Sequence, residues 1–83
     1  MTAAIEIAGW SGAGILLAAY ALVSLRRLTG DGAAFQIMNI VGAAGIAVNS
    51  GSNRAWASAA LNLVWIAIGI VALVRRWKQA LAP

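Results

Sequence analysis

Residues 55–74 read AWASAALNLVWIAIGIVALV, and RRWK follows at 75–78. None of those twenty side chains carries a charge. At about 1.5 Å of rise per residue, an α-helix of that length reaches about 30 Å, the thickness of a bilayer's hydrocarbon core. A helix of a soluble domain keeps a polar stripe on the side turned away from its core. From Ile66 to Val74 no such stripe exists, so lipid is the solvent this surface expects.

Two further apolar runs precede it, from Ile7 to Leu25 and from Ala33 to Asn49. The pattern predicts an all-α membrane protein with transmembrane helices over residues 7–25, 33–49 and 55–74. They would form one small bundle in a single domain, 1–83. Composition agrees: 63% of the residues are hydrophobic and 10% charged, against about 25% charged in a typical soluble domain. Ala19-Tyr20-Ala21 imitates a signal-peptide cleavage site. The segment before the first run holds no Lys or Arg and ends on Glu6, the reverse of a signal, so a retained span is expected.

The residue types present restrict the chemistry. Cys and His are both absent, which removes thiol nucleophiles, imidazole bases and most ligands of zinc, haem and iron–sulfur clusters. Glu6 and Asp31 are the only acids, too few for a carboxylate cage. Ser11, Ser58 and Tyr20 have no visible base to activate them. The expectation is a protein that is not an enzyme and takes no cofactor or metal.

The net charge of +4 is foremost an orientation signal. Spans alternate in direction, so the first loop and the C-terminus share one side. That side holds Arg26, Arg27, Arg75, Arg76 and Lys78, five of the six basic residues. The positive-inside rule puts it in the cytoplasm and the N-terminus outside, as in a bacterial inner-membrane protein. Trp10 and Trp56 then belong to the outer interface and Trp77 to the inner one. The five cations are expected to anchor the chain on anionic lipid headgroups. A nucleic-acid partner is not expected, because no soluble surface lies behind them.

Breakers separate the runs. Gly30-Asp31-Gly32 is expected to end the first, with Asp31 or Thr29 capping the second helix. Gly51 is expected to stop the second, with Ser52 or Asn53 capping the third. Glu6 sits where a helix N-terminus favours an acid.

Inside the membrane, close backbone approach and polar side chains hold helices together. Candidates for packing are Gly9, Gly14, Gly42, Gly45 and Gly69, with Gly9-x-x-x-Ala13, Gly14-x-x-x-Ala18 and Ala43-x-x-x-Ala47 as small-residue pairs. The intramembrane polar candidates are Asn39, Asn49, Asn62 and Trp65. On a helical projection Asn39 and Asn49 lie about 80° apart, and Ser58, Asn62, Trp65 and Gly69 fall within about 60°. Two readings stay open: amides that bond across helices, or a pocket in which Asn62 bonds a small polar solute and Trp65 stacks on it.

Gly9-Trp10-Ser11-Gly12, Ala19-Tyr20, Gln36-x-x-Asn39-x-x-Gly42-Ala43, Val48-Asn49-Ser50 and Ala60-Leu61-Asn62-x-x-Trp65 resemble, in that order, a small bacterial membrane-protein family. Its members have three spans and are catalogued as a CBU-like domain without an established function. The resemblance runs from about Gly9 to Val74. Members often show a Pro before the third span, where this chain has Arg54-Ala55-Trp56-Ala57-Ser58. More loosely, three spans, an outward N-terminus and an Asn in the third helix are similar to the SemiSWEET sugar half-transporters, which work as parallel homodimers. That resemblance implies a substrate contact at Asn62. The family's Pro-Gln hinge is missing at Ala21-Leu22-Val23-Ser24, and the chain's only Pro is Pro83.

Two functions follow as expectations. One is a non-catalytic packing or assembly module, an accessory subunit that associates with itself or with other membrane-protein subunits. The alternative is a homodimeric facilitator for a small polar solute.

Overall fold

The computed structural model describes residues 2–81, so Met1, Ala82 and Pro83 lie outside it. All three apolar runs are helices: α1 (Ala3–Ser24), α2 (Ala33–Ser52) and α3 (Trp56–Leu81). Each is long and apolar enough to cross a membrane, and the described residues contain no strand. The long dimension of the molecule, 50 Å, exceeds a hydrocarbon core of about 30 Å.

The helices overrun the apolar segments for local reasons. α1 starts at Ala3 because Thr2, in an extended conformation, accepts a hydrogen bond from the Ile5 amide through its hydroxyl at 3.3 Å. Glu6 thereby falls in the first turn, where the helix dipole favours it. α3 runs past Val74 to Leu81 because Arg, Lys, Gln, Ala and Leu are all good helix formers and nothing there breaks the helix.

The expected caps are corrected by the structure. α1 ends before Gly30: Arg26 takes the left-handed conformation (φ 60°), its amide donates to Val23 O, and the Arg27 amide donates to Leu22 O at 2.8 Å. α2 passes through Gly51 and stops by the same device at Arg54 (φ 59°), with Ala55 N–H donating to Ser50 O at 2.8 Å. This is the closed turn that Gly usually makes, here built on arginine twice. Neither Asp31 nor Thr29 caps α2, whose N-cap is Gly32 without a side-chain bond. Ser52 is inside α2, and the Asn53 amide turns back to Asn49 O at 3.0 Å instead of capping α3. Arg54 and Ala55 separate Asn53 from the first turn of α3, which removes it from capping range.

The three helices do not close into a triangle. α2 is central and packs on both neighbours, while α1 and α3 make no contact with each other. Gly42, Gly45 and Asn49 of α2 meet α1; Asn39, Ile40 and Ser50 meet α3. At 100° per residue these two faces lie about 125° apart. A groove therefore runs between α1 and α3, floored by α2. The third face of α2, with Ile37, Val41 and Val48, is exposed and apolar.

Candidate functional site

The contact between α1 and α2 is made largely of backbone. A Cβ built on Gly45 would stand 2.5 Å from Ala8 O, and one on Gly42 would stand 2.8 Å from the Leu16 side chain. Gly9 leaves room for an amide: its Cβ would meet Asn49 Cγ at 2.6 Å. Asn49 uses that room to donate from Nδ2 to Ile5 O at 3.0 Å, tying the C-terminal third of α2 to the first turns of α1. Gly69 plays the equivalent part in α3, where a Cβ would meet Ile40 Cγ1 at 2.8 Å. Gly14 differs from the expectation. Nothing lies within 4 Å of its Cβ position, and the close approach belongs to Gly12. The signal was available as the i, i+3 pairs Gly9/Gly12 and Gly42/Gly45, which face each other; the reading by i, i+4 spacing passed over Gly12.

Three of the four intramembrane polar candidates have settled roles or open surroundings. Asn62 is buried but bonds along its own helix, from Nδ2 to Ser58 O at 2.8 Å. The bond across to α2 is instead a hydroxyl pair, Ser50 Oγ to Ser58 Oγ at 2.8 Å, which sequence reasoning missed. Trp65 is 42% exposed. Asn39 and Asn62 do not meet. Asn39 lies level with Gly69, seven residues further along α3 than Asn62, so the amides stand about 10 Å apart in depth.

Asn39 is the exception. It is 7% exposed, its Nδ2 would be 3.5 Å from a Cβ on Gly69, and among the described residues its side chain has no hydrogen-bond partner. No fully enclosed polar side-chain atom among those residues is left unpaired. The Asn39 amide therefore retains a sliver of access. On the helical projection that access opens into the groove, between Tyr20 of α1 and Trp65 of α3. Tyr20 packs edge-on against Phe35 with ring centroids 5.9 Å apart, and Tyr20 is itself 52% exposed. An amide at this depth offers a donor and an acceptor where lipid offers neither.

The charged candidates gather as the topology requires. Arg26 and Arg27 leave the end of α1, and Arg75, Arg76 and Lys78 lie in the last turns of α3, all exposed at one end of the molecule. Arg54 is at the other end. Among the described residues no cluster of three His, Cys, Asp or Glu exists that would hold a metal ion. Three surface depressions are lined by other residues, and none of them takes in Asn39, Asn62 or Trp65.

A protein-family model matches residues 5–80, from the first turn of α1 to the last turn of α3. No curated protein and no solved structure matches the chain.

Proposed function

The chain belongs to a small uncharacterised family whose model spans residues 5–80, and from that premise we propose that it is a non-catalytic assembly module, an accessory subunit that a larger membrane complex or a second copy packs against. The observation that carries this reading is the groove between α1 and α3 with the Asn39 amide on its floor, 7% exposed and without a hydrogen-bond partner among the described residues. A helix is about 10 Å across with its side chains, and a helix laid in an angle of about 125° between two others touches all three. Lipid tails fill such a groove without satisfying the amide, whereas a helix bearing a polar side chain fills it and bonds Asn39. Small residues left on outer faces, Gly14 among them, favour the same kind of contact.

The protein would sit in a bacterial inner membrane with its N-terminus outside and its C-terminus in the cytoplasm. Five of the six cations lie at the C-terminal end, which supports that orientation through the positive-inside rule. Arg26, Arg27, Arg75, Arg76 and Lys78 would then rest on anionic headgroups.

Native mass spectrometry of the protein, extracted from its own membrane in mild detergent, tests the reading. Co-release with other subunits at fixed stoichiometry, or as a defined homo-oligomer, is expected. Release as a bare monomer at every detergent concentration would overturn it. The chain has no Cys, so a single Cys at Tyr20 or Trp65 maps the contact by cross-linking without background.

A second reading, a homodimeric facilitator for a small polar solute, is favoured by the same amide and by the buried Asn62 beyond it. Under it, Asn39→Ala and Asn62→Ala abolish flux into proteoliposomes while dimers persist. Equal uptake of a broad solute panel by empty and loaded vesicles would end it.

A further inference from the structure

One face of α3 changes character along its length, and a cleft of ≈ 300 Å³ follows the change. Ile68, Val71 and Ala72 line its deep end; Arg75, Arg76 and Gln79 line its mouth, with Asp31 of the α1–α2 turn opposite. From Ile68 to Gln79 the helix rises about 16 Å, close to the half-thickness of a hydrocarbon core. The apolar end is therefore at acyl-chain depth and the charged end at phosphate depth. Two guanidinium groups and one carboxylate leave the mouth with a charge of 2 − 1 = +1.

We propose that this cleft holds one anionic glycerophospholipid, with its phosphate on Arg75 and Arg76 and an acyl chain along Ile68, Val71 and Ala72. Neighbouring arginines suit a phosphate diester, because the guanidinium fork makes paired, charge-assisted hydrogen bonds to its oxygens. Asp31 narrows the choice. A carboxylate at the rim repels a doubly charged phosphate monoester and accepts a hydrogen bond from a headgroup hydroxyl. Phosphatidylglycerol carries that combination: one phosphate charge and free hydroxyls. The site sharpens the expected attraction of basic residues to anionic lipid into a single position. It rests on the membrane-spanning fold and not on the assembly role, so either survives the failure of the other.

Native mass spectrometry of the purified protein, with phosphatidylglycerol, phosphatidylcholine or phosphatidate added at equal low ratio, is the test. One phosphatidylglycerol per chain is expected, retained about tenfold more than phosphatidylcholine, whose diester also meets the guanidinium groups but whose choline cancels the net charge that the +1 mouth attracts and brings no hydroxyl to donate to Asp31. Arg75→Gln with Arg76→Gln lowers retention to the phosphatidylcholine level. Arg54→Gln removes a cation at the opposite end of the molecule, outside the cleft, and leaves retention unchanged. Ile68→Trp fills the apolar end at an exposed position with all charges intact, and it too expels the lipid. Asp31→Asn erases the preference for phosphatidylglycerol over phosphatidate. Free glycerol phosphate displaces nothing, which separates a lipid site from a phosphate site. Equal retention of the neutral lipid, equal loss in Arg54→Gln and in the arginine double variant, or displacement by glycerol phosphate would each overturn the proposal.

Discussion

Gly12 and Gly42 each turn their backbone toward the other: a Cβ on Gly12 would stand 2.5 Å from Gly42 O, and one on Gly42 would stand 2.9 Å from Gly12 O. Neither position accepts a methyl group without moving a helix. Contact at this range replaces side-chain packing with dispersion between backbones, the attraction available to helices whose surroundings are as apolar as they are. Gly12 is one of only two buried residues of α1, together with Ala19.

Gly12→Ala is therefore expected to destabilise the fold by about 1–3 kcal/mol, the usual cost of overpacking. Gly14→Ala, with open space around it, should be neutral or stabilise by up to about 1 kcal/mol through helix propensity. Titration with sodium dodecyl sulfate, followed by circular dichroism, separates the two. Equal losses would show that the α1–α2 contact is made elsewhere.

The Ser50–Ser58 hydroxyl pair is the polar link between α2 and α3. A double-mutant cycle with Ser50→Ala and Ser58→Ala should give a coupling of about 0.6 kcal/mol, the average for a hydrogen bond between membrane helices. A cycle that closes to zero would mean that the pair is an accident of proximity.

Asn39 and Asn49 should respond oppositely to replacement by Leu. Asn39→Leu removes a buried amide without a partner, so the isolated chain gains about 1 kcal/mol while recovery of the assembled complex falls. Asn49→Leu breaks the 3.0 Å bond to Ile5 O and crowds Gly9, so the isolated chain loses about 1–2 kcal/mol. Unfolding in detergent and complex recovery, measured on the same preparations, check both halves. A destabilised Asn39→Leu chain would mean that the amide is already satisfied within the monomer.

Arg26 and Arg54 hold left-handed backbone that costs a side chain about 1–2 kcal/mol. Arg26→Gly and Arg54→Gly should each raise the detergent unfolding midpoint by about 1 kcal/mol equivalents. Gly51→Ala, inside α2 with nothing within 4 Å, should do the same through helix propensity. A drop in any of the three would indicate that the side chain or the bare backbone at that turn has an intermolecular contact.

Most of the candidate site was partly legible. The polar candidates Asn39, Asn49 and Asn62 stand out in apolar surroundings, and Gly9, Gly42, Gly45 and Gly69 are where side chains would collide. Their pairing was not legible. Asn62 faces a level of α2 that carries no amide and turns back to Ser58 O, while Asn49 finds a backbone carbonyl. The cap residues misled for a related reason: Gly30 and Gly51 advertise turns, yet neither has positive φ, and the arginines beside the helix ends make the turns.

The sequence by itself determined that three helices are long and apolar enough to cross a membrane, how long each apolar core is, and which end of the molecule carries the cations. Those are properties of single segments, set by the free energy of moving each from water to lipid. Only the tertiary structure decided that α2 is the middle helix, that α1 and α3 stay apart, and that Asn39 is left facing the groove between them. In water an apolar stripe would have marked the buried face of each helix. Here every face of α1 is apolar and small residues are spread around it, so hydropathy distinguishes no side. The choice falls to backbone fit at Gly12, Gly42 and Gly45, which exists only once two helices are laid together.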